Sequence, residues 1–360
     1  MNVPKLRFSN FFNDYEIKEI ADITYNVSSG KISKQLEDGQ YNVYGSMGII
    51  GKSNFYDYTG EKVLVARVGA NAGSVNKINE NCCISDNTLV LEPKDILNDY
   101  LYYSLTYFNP KKLIFGSGQP LVTGAQIKKI KLSIPKKEEQ LKVADFLSLL
   151  DKKIELQSKK IEDLKLFKLY TKNQIFNDYD KVFKLKDILV KWNKKNKNNS
   201  VKYVESISNK YGFISQSDQF EDRNVASKNL NNYYIIEKGV FGYNPSRLNV
   251  GSLALKTNDK VSVVSPLYEC FTTSQNNQYL LEWFDSKYFR KETISKFEGG
   301  VRNTLNFSNL CEIKIGLPTI EKQNKYSRIF KIFNNKIEFE VKKLYKLQEL
   351  KKGLMQSMFV

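Results

Sequence analysis

Three groups of residues in this chain are close to known catalytic or nucleotide-binding motifs. Asp86, Glu92 and Lys94 have the order of the carboxylate and Glu-x-Lys set of metal-dependent nucleases. The segment GSMGIIGKS (45–53) is close to the glycine-rich loop that cradles phosphates, and YNPSR (243–247) is close to the Asn-Pro-Pro-aromatic motif of amino-methyltransferases. Complete versions of these motifs would place metal-assisted, nucleotide-dependent or methyl-transfer chemistry on the chain.

All three motifs are incomplete. Ser46 stands where the phosphate-binding loop requires glycine, and residues 243–247 lack the second proline and the aromatic residue. The carboxylates at 86–94 lie close together in a stretch that alternates like the end of an ordinary strand, which favours surface carboxylates. The chain contains no histidine, and this excludes catalytic triads, HNH-type nucleases and histidine-ligated metals.

Composition bounds the class of protein. A chain of 360 residues with 41% hydrophobic residues is long enough for two or three domains with buried cores. Its net charge of +17 and its 22 Tyr and 22 Phe favour a nucleic-acid partner. The alternative explanation of the many lysines is the codon bias of an AT-rich genome.

The sequence predicts a cytoplasmic protein without a bound cofactor. No apolar run approaches the 18 residues of a membrane span, and the N-terminus has no signal-peptide core. The four cysteines form no Cys-x-x-Cys pair, so we expect reduced thiols and neither a zinc site nor a disulfide framework.

Two long helices dominate the predicted organisation. Residues 134–177 and 317–360 align without a gap at an offset of 183 residues, and both have apolar residues at a 3.5-residue period. This period predicts a coiled coil, with Gln157 and Glu340 as matching polar positions in the seam. Two separate amphipathic helices are the alternative. The predicted helix-pair interface consists of Leu147, Leu150, Ile154, Ile161, Leu164, Phe330, Phe333, Ile337, Leu344 and Leu347.

The segments between the helices also occur twice. KVLVARV (62–68) predicts a strand and DYLYYSLTYF (99–108) predicts a helix, and their counterparts are residues 238–255 and QYLLEWF (278–284). The ends of the two globular segments match, whereas their strand and loop middles differ. The chain is therefore predicted to be a tandem repeat of globular units and long helices. The predicted boundaries are 1–134, 135–179, 180–317 and 318–360.

In the order of its motifs, the chain resembles the specificity subunit of type I restriction-modification enzymes. The resemblance extends over nearly the whole chain and depends on the order of individually weak motifs, repeated in both halves. The motifs are IPKKEEQ (134–140), YTKNQIF (170–176), NVYGSMGIIGK (42–52), VLVARVGANAG (63–73), YNPSRLNVGS (243–252), LPTIEKQ (317–323) and GLMQSMF (353–359).

This resemblance implies an α+β fold and a non-catalytic role. Two globular α/β target recognition domains would be separated by two long antiparallel helices in a coiled coil, with pseudo-twofold symmetry. Each domain would read one half of a bipartite double-stranded DNA target, and the helices would set the spacing. Two methyltransferase subunits would bring S-adenosylmethionine, and ATP-dependent restriction and translocase subunits would join them.

Base recognition requires polar side chains on short, stiff loops. The candidate DNA-binding residues are Gly45, Ser46, Lys52, Arg67, Asn71 and Gln119 in the first half, and Tyr243, Asn244, Ser246, Arg247, Arg302 and Asn303 in the second.

Two other interpretations of the sequence remain open at this point. One is a dimeric coiled-coil adaptor that binds RNA or acidic proteins, and the other is a nuclease that uses Asp86.

Overall fold

The computed structural model describes residues 3–32, 36–45, 48–114, 118–209, 211–216, 229–294, 296 and 304–360, apart from the side chains of 249 and 250. The chain divides into two compact units. Unit 1 comprises Met1–Lys160 and Glu340–Val360, and unit 2 comprises Ile161–Phe339. This division differs from the four predicted segments, because part of each long helix packs on the core of each unit.

Unit 1 is built from short strands and three short helices, followed by the first long helix. Its strands are β1 (Glu16–Glu19), β2 (Thr24–Ser29), β3 (Tyr41–Gly45), β4 (Gly48–Ser53), β5 (Glu61–Ala66), β6 (Val75–Asn79), β7 (Cys82–Ile84), β8 (Thr88–Pro93) and β9 (Lys131–Ile134). Its helices are α1 (Ile20–Ile23), α2 (Asn98–Phe108), α3 (Gly124–Lys128) and the start of α4 (Lys137–Asn177).

A four-stranded antiparallel sheet in the order β2-β8-β5-β6 forms the centre of unit 1. Strand β5 is β-branched and apolar, and Val63, Leu64 and Val65 are all buried. Successive side chains of a strand point to opposite faces, so Leu64 packs in a small cluster on one face while its neighbours join the main core. A second sheet, in the order β4-β3-β7, contains a parallel pair, β3 and β7.

Unit 2 contains the end of α4 and the first half of the second long helix. Its strands are β10 (Lys181–Lys184), β11 (Leu189–Lys191), β12 (Glu205–Ser208), β13 (Gly212–Ser215), β14 (Tyr234–Ile236), β15 (Phe241–Tyr243), β16 (Leu253–Leu255), β17 (Ser262–Val264), β18 (Glu269–Thr273) and β19 (Lys314–Leu317). Its helices are α5 (Asn277–Phe284), α6 (Lys287–Ile294), α7 (Phe307–Cys311) and the first part of α8 (Ile320–Met358).

Unit 2 repeats the strand order of unit 1. Its four-stranded sheet has the order β11-β18-β15-β16, and β10 pairs with β19 as β1 pairs with β9. The middles differ as predicted: unit 2 has the hairpin β12-β13 and the pair β14-β17, whereas unit 1 has the sheet β4-β3-β7. Residues 82–93 of unit 1 form two strands, because the chain turns between β7 and β8.

The two long helices pair along the predicted seam. All ten predicted interface residues are buried or half-buried. In unit 1, the Gln157 amide donates to a Glu340 carboxylate oxygen at 2.8 Å, and Lys351 forms an ion pair with Asp151. In each unit, the residue numbers of the contacting positions on α8 decrease as the residue numbers on α4 increase. The paired parts of the two helices are therefore antiparallel. The coiled coil is therefore formed within one chain.

A buried glutamine in the first turn of each long helix joins the helix to the globular part of the same unit. The Gln140 side chain accepts a hydrogen bond from the Leu97 backbone N–H at 2.9 Å and donates to the Pro135 carbonyl at 2.9 Å. In unit 2, Gln323 makes the equivalent pair of bonds, to the Asn276 N–H at 3.1 Å and the Pro318 carbonyl at 2.9 Å. This glutamine is the last residue of the repeated Pro-x-x-Glu-x-Gln motif.

The residue just before each of these glutamines has opposite charge in the two units. In unit 1, the buried Glu139 carboxylate accepts hydrogen bonds from the Arg7 guanidinium at 2.7 Å and the Tyr15 hydroxyl at 2.8 Å. In unit 2, the equivalent Lys322 ammonium forms an ion pair with Asp178 at 3.2 Å. Both contacts join the start of a long helix to the segment that precedes the first strand of the same unit.

We expect the substitution Gln140→Leu to lower the free energy of unfolding by about 2–4 kcal/mol, because it leaves the Leu97 N–H and the Pro135 carbonyl without partners. Gln323→Leu should have a similar effect. Chemical denaturation followed by circular dichroism measures both. The exposed Gln174 on α4 provides the control, and Gln174→Leu should change stability by less than about 0.5 kcal/mol. Equal stability of the Gln140 variant and this control would contradict the role of the amide.

Candidate nucleic-acid interface

In unit 1, the loops after β5 and β7 meet residues 118–121 beside the end of β3, at one edge of the sheets. We call this surface, residues 66–74, 85–87 and 118–121, the unit 1 loop edge. Backbone hydrogen bonds join its segments side by side. They run from Ser85 N–H to the Tyr44 carbonyl at 2.8 Å, from Arg67 N–H to the Asn87 carbonyl at 2.9 Å, and from Gly69 N–H to the Pro120 carbonyl at 3.0 Å.

Three of the predicted DNA-binding residues come together at this edge. Arg67 follows β5 directly, and its guanidinium donates to the Ser29 hydroxyl at 3.2 Å. Gly69 has a φ of 81°, in the left-handed region that favours glycine, and this lets the chain turn sharply after Arg67. Asn71 lies half-buried in the same turn, and Gln119 is exposed beside it. The edge thus presents guanidinium and amide groups on a short, constrained loop.

Gly45 and Lys52 lie on the hairpin formed by β3 and β4, next to this edge. The Lys52 ammonium donates to the Asn42 side-chain oxygen at 2.7 Å, and the Asn42 amide donates to the Glu80 carboxylate at 3.1 Å. The Tyr44 hydroxyl also donates to Glu80. Burial and the Glu80 carboxylate raise the pKa of Tyr44 to about 12, so the phenol stays protonated as a donor. Glu80 therefore fixes the hairpin and orients Lys52.

Unit 2 has a corresponding edge, which we call the unit 2 loop edge and define as residues 244–252, 265–268 and 304–305. The Leu305 N–H donates to the Pro245 carbonyl at 3.1 Å and joins two of these segments. The Asn244 side chain accepts from the Ser246 N–H at 3.0 Å and begins a 3-10 helix, Pro245–Val250. Ser246 and Arg247 are exposed on this helix.

One predicted contact needs correction. Tyr243 is the last residue of β15, and its ring is buried in the core against Phe271. Burial raises the pKa of its hydroxyl, and the side chain does not reach the surface of the unit. It therefore cannot contact DNA in this structure. Ser46, Arg302 and Asn303 lie outside the described residues, and the other eight predicted DNA-binding positions remain predictions.

A buried ion pair supports the unit 2 hairpin, β12-β13, and was not predicted from the sequence. The Lys256 ammonium contacts the Glu205 carboxylate, and the Ser262 hydroxyl donates to the same carboxylate. Lys256 and Glu205 are 1% and 3% exposed, so both charges are shielded from water. Glu205 lies on β12, and the pair fixes this hairpin to the sheet strand β16 and to β17. Each unit therefore holds its hairpin with one carboxylate.

The incomplete catalytic motifs are not assembled into sites. Asp86 precedes β8 and Lys94 follows it, so a six-residue strand of about 20 Å separates them. Residues 48–53 form strand β4 of a hairpin, where a phosphate-binding loop would lead into a helix. Among the described residues, no three His, Cys, Asp or Glu side chains are grouped to hold a metal ion. The loop edges instead offer hydrogen-bond donors of the kind that read base edges.

Comparison with known sequences identifies one family. The family model for the type I restriction modification DNA specificity domain matches residues 12–166. A putative type I specificity subunit of Mycoplasma pneumoniae is 30% identical over 195 residues, which are 49% of this chain and 61% of that relative. The specificity subunit of a type I restriction enzyme of Methanocaldococcus jannaschii is 24% identical, over 95% of this chain and 91% of that protein.

Solved structures share the fold. The crystal structure of a type I restriction-modification S subunit from M. genitalium has a TM-score of 0.64 and 16% identity, and the match covers 99% of both chains. A chain from a study of assembly and conformational transition in the type I system has a TM-score of 0.57 and 11% identity, over 95% and 96% of the two chains.

The fold consists of two related units, and the family model of the DNA specificity domain covers most of the first unit and continues along α4. The sequence relatives described above are type I restriction-modification specificity subunits, which confirms the resemblance found in the motifs of the chain. Of the helices described, none combines the length and apolar character that a membrane crossing requires.

We expect Lys256→Met to lower the free energy of unfolding by about 3–5 kcal/mol, because it leaves the Glu205 charge buried without a counter-ion. Adding Glu205→Leu removes that charge and should restore part of the loss. Denaturation curves measure both variants. Lys238 forms an exposed pair with Asp259 in the same unit, and Lys238→Met should cost less than about 1 kcal/mol. A Lys256 variant as stable as the Lys238 control would show that the buried pair does not hold the hairpin.

Proposed function

We propose that this chain is the DNA specificity subunit of a type I restriction-modification complex and has no catalytic activity of its own. Each unit reads one half of a split, asymmetric sequence in double-stranded DNA through its loop edge. Its place of action is the cytoplasm, where cellular DNA is accessible. S-adenosylmethionine binds to the methyltransferase subunits and ATP binds to the restriction subunits, so this chain needs no cofactor itself.

The observation that carries this proposal is the combination of one scaffold with two unlike loop edges. Both units use the same four-strand order and the same glutamine contact at the start of the long helix. Arg67 lies on a glycine turn in unit 1, whereas Arg247 lies on a 3-10 helix in unit 2. Two different edges on equivalent scaffolds suit two different half-sites. The net charge of +17 supplies attraction to phosphates that is independent of sequence.

The long helices set the spacing between the half-sites in this proposal. Helix α4 has 41 residues and is about 60 Å long at about 1.5 Å per residue. Half-sites one turn apart on DNA are separated by about 34–36 Å, and helices of this length can span that separation. The dimeric adaptor is less well supported, because the helices pair within one chain and the Leu6 N–H donates to the Ser357 carbonyl near the other terminus.

Exposed apolar residues on the long helices support docking of two methyltransferase subunits. Leu149 and Leu156 of α4, in unit 1, correspond through the 183-residue repeat to Ile332 and Phe339 of α8, in unit 2. All four are between 59% and 67% exposed. Because residues seven apart fall on one side of a coiled-coil helix, each pair forms a short apolar stripe. We call these two pairs the docking stripes, and their repetition suits two copies of one protein partner.

Mapping of methylated adenines tests the recognition role. In the presence of a cognate methyltransferase subunit and S-adenosylmethionine, methylation should be confined to one split motif with a fixed gap. Arg247→Ala should relax the choice of base in one half of this motif only, because a bidentate arginine contact contributes about 1–3 kcal/mol of discrimination. The exposed Arg328 on α8 provides the control, and Arg328→Ala should leave the motif unchanged.

Two outcomes of this mapping would count against the proposal. Methylation without any motif, together with a homodimer that ignores the methyltransferase, would support the adaptor. Uniform loss of binding to every DNA sequence in the Arg247 variant would assign that side chain to phosphate contact and not to base reading.

Replacing both leucines of the unit 1 docking stripe by glutamine should reduce the number of bound methyltransferase subunits from two to one. The corresponding Ile332→Gln and Phe339→Gln pair should have the same effect, and all four substitutions together should abolish the complex. Native mass spectrometry counts the subunits. Lys152→Gln with Lys159→Gln, at exposed positions of the same helix, is the control and should retain both subunits. Retention of both subunits by the stripe variants would exclude the stripes as docking surfaces.

A further inference from the structure

Two consecutive isoleucines are exposed on strand β4 of unit 1. Ile49 is 57% exposed and Ile50 is 43% exposed, although β4 is an edge strand of its sheet. Natural proteins usually protect edge strands with charges, proline or short length, because exposed apolar edges promote aggregation. An exposed apolar pair at such a position therefore indicates a surface that binds another molecule.

A β-bulge explains why both side chains are exposed. Val43 pairs with Gly51 and Tyr44 pairs with Ile49, which leaves Ile50 as the extra residue. A bulge interrupts the alternation of side chains between the two faces of a strand and redirects one of them. Gly45 provides the space, since a Cβ atom there would lie 2.7 Å from Cγ2 of Ile50. The local backbone is thus built to present both isoleucines.

The hairpin that carries the isoleucines is held firmly. Glu80 accepts hydrogen bonds from Asn42 and Tyr44 on β3, and β3 also pairs with the buried strand β7. Isoleucine itself has few side-chain conformations, because it is branched at Cβ. A rigid apolar group on a fixed hairpin loses little conformational entropy on binding and can therefore discriminate between closely similar surfaces.

The position of the pair indicates its partner. Ile49 lies opposite Tyr44, whose carbonyl accepts from the Ser85 N–H of the unit 1 loop edge. Asn87, two residues further on, accepts from the backbone of Arg67 in the same edge. The isoleucines are therefore continuous with the surface that we assign to DNA. Among the groups that bases display in the major groove, the C5-methyl of thymine is the apolar one.

We propose that Ile49 and Ile50 read thymine in the half-site of unit 1 by packing against its C5-methyl group, while Arg67 and its neighbours supply hydrogen bonds. This inference rests on the proposed DNA specificity role. It adds apolar base reading to the polar residues predicted from the sequence, and it gives the bulge and Gly45 a function.

The test uses the complete complex of this chain with its methyltransferase subunits. Once methylation mapping has defined the two half-sites, each thymine in them is replaced by deoxyuridine, which lacks only the C5-methyl group. Binding of the wild-type complex should weaken about fourfold for each methyl that is contacted, in one half-site only. The variant Ile49→Ala with Ile50→Ala should bind thymine and deoxyuridine DNA equally. Ile17→Ala, at a 62% exposed strand position of the same unit, should behave as wild type.

The remaining outcomes separate this inference from the proposed function. A wild-type complex with a clear split motif but no response to deoxyuridine would overturn apolar reading alone, as would a unit 1 half-site that lacks thymine. Loss of methyltransferase binding in the Ile49 and Ile50 variant would show that the pair docks protein. Absence of any split motif with the wild-type chain would overturn the proposed function and this inference together.

Discussion

The attachment of the start of each long helix to the adjoining globular part depends on one buried glutamine amide. Gln140 and Gln323 each accept from the backbone N–H of the residue before α2 or α5 and donate to the carbonyl of the proline that precedes the long helix. An amide can do both without a charge, so it can be buried fully at this junction. This junction controls the direction of the whole helix. Along a helix of about 60 Å, a tilt of about 5° at its start moves the far end by about 5 Å.

The neighbouring position shows how a repeated chain keeps its halves distinct. Glu139 meets Arg7 in unit 1, whereas the equivalent Lys322 meets Asp178 in unit 2. Exchange of the two preceding segments would place Arg7 beside Lys322 and Asp178 beside Glu139, and like charges would then face each other. Opposite charges at equivalent positions therefore favour the correct docking of each segment and penalise the wrong one. The glutamine is the same in both units because both helix starts need the same two hydrogen bonds. Its neighbour differs because its charge matches a different preceding segment in each unit.

Periodic features were predictable from the sequence, and contacts between distant strands were not. The heptad phase predicted the seam, and all ten predicted interface residues are buried or half-buried. The shared order of short segments predicted the repeated sheet. Tyr243 was a candidate DNA-binding residue, yet strand pairing extends to that residue and buries it. Lys256 and Glu205 are 51 residues apart on different strands, so no local pattern indicates that they pair. The bulge at Ile50 similarly depends on register, which one strand alone does not specify.

The positions of the arginines indicate functional contacts more specifically than the net charge does. Codon bias is the alternative explanation of abundant lysine, and lysine is sufficient for attraction to phosphates. Arginine is scarce here, with seven among the 56 basic residues. Arg7 makes a two-pronged contact with Glu139, and Arg67 and Arg247 lie on the two loop edges. A planar guanidinium is required where two hydrogen bonds must be made with fixed geometry, at a carboxylate or at the edge of guanine. Arg7, Arg67 and Arg247 therefore lie where geometry matters, in the fold or in the proposed DNA contact, and the last two lie on the edges where the otherwise repeated units differ.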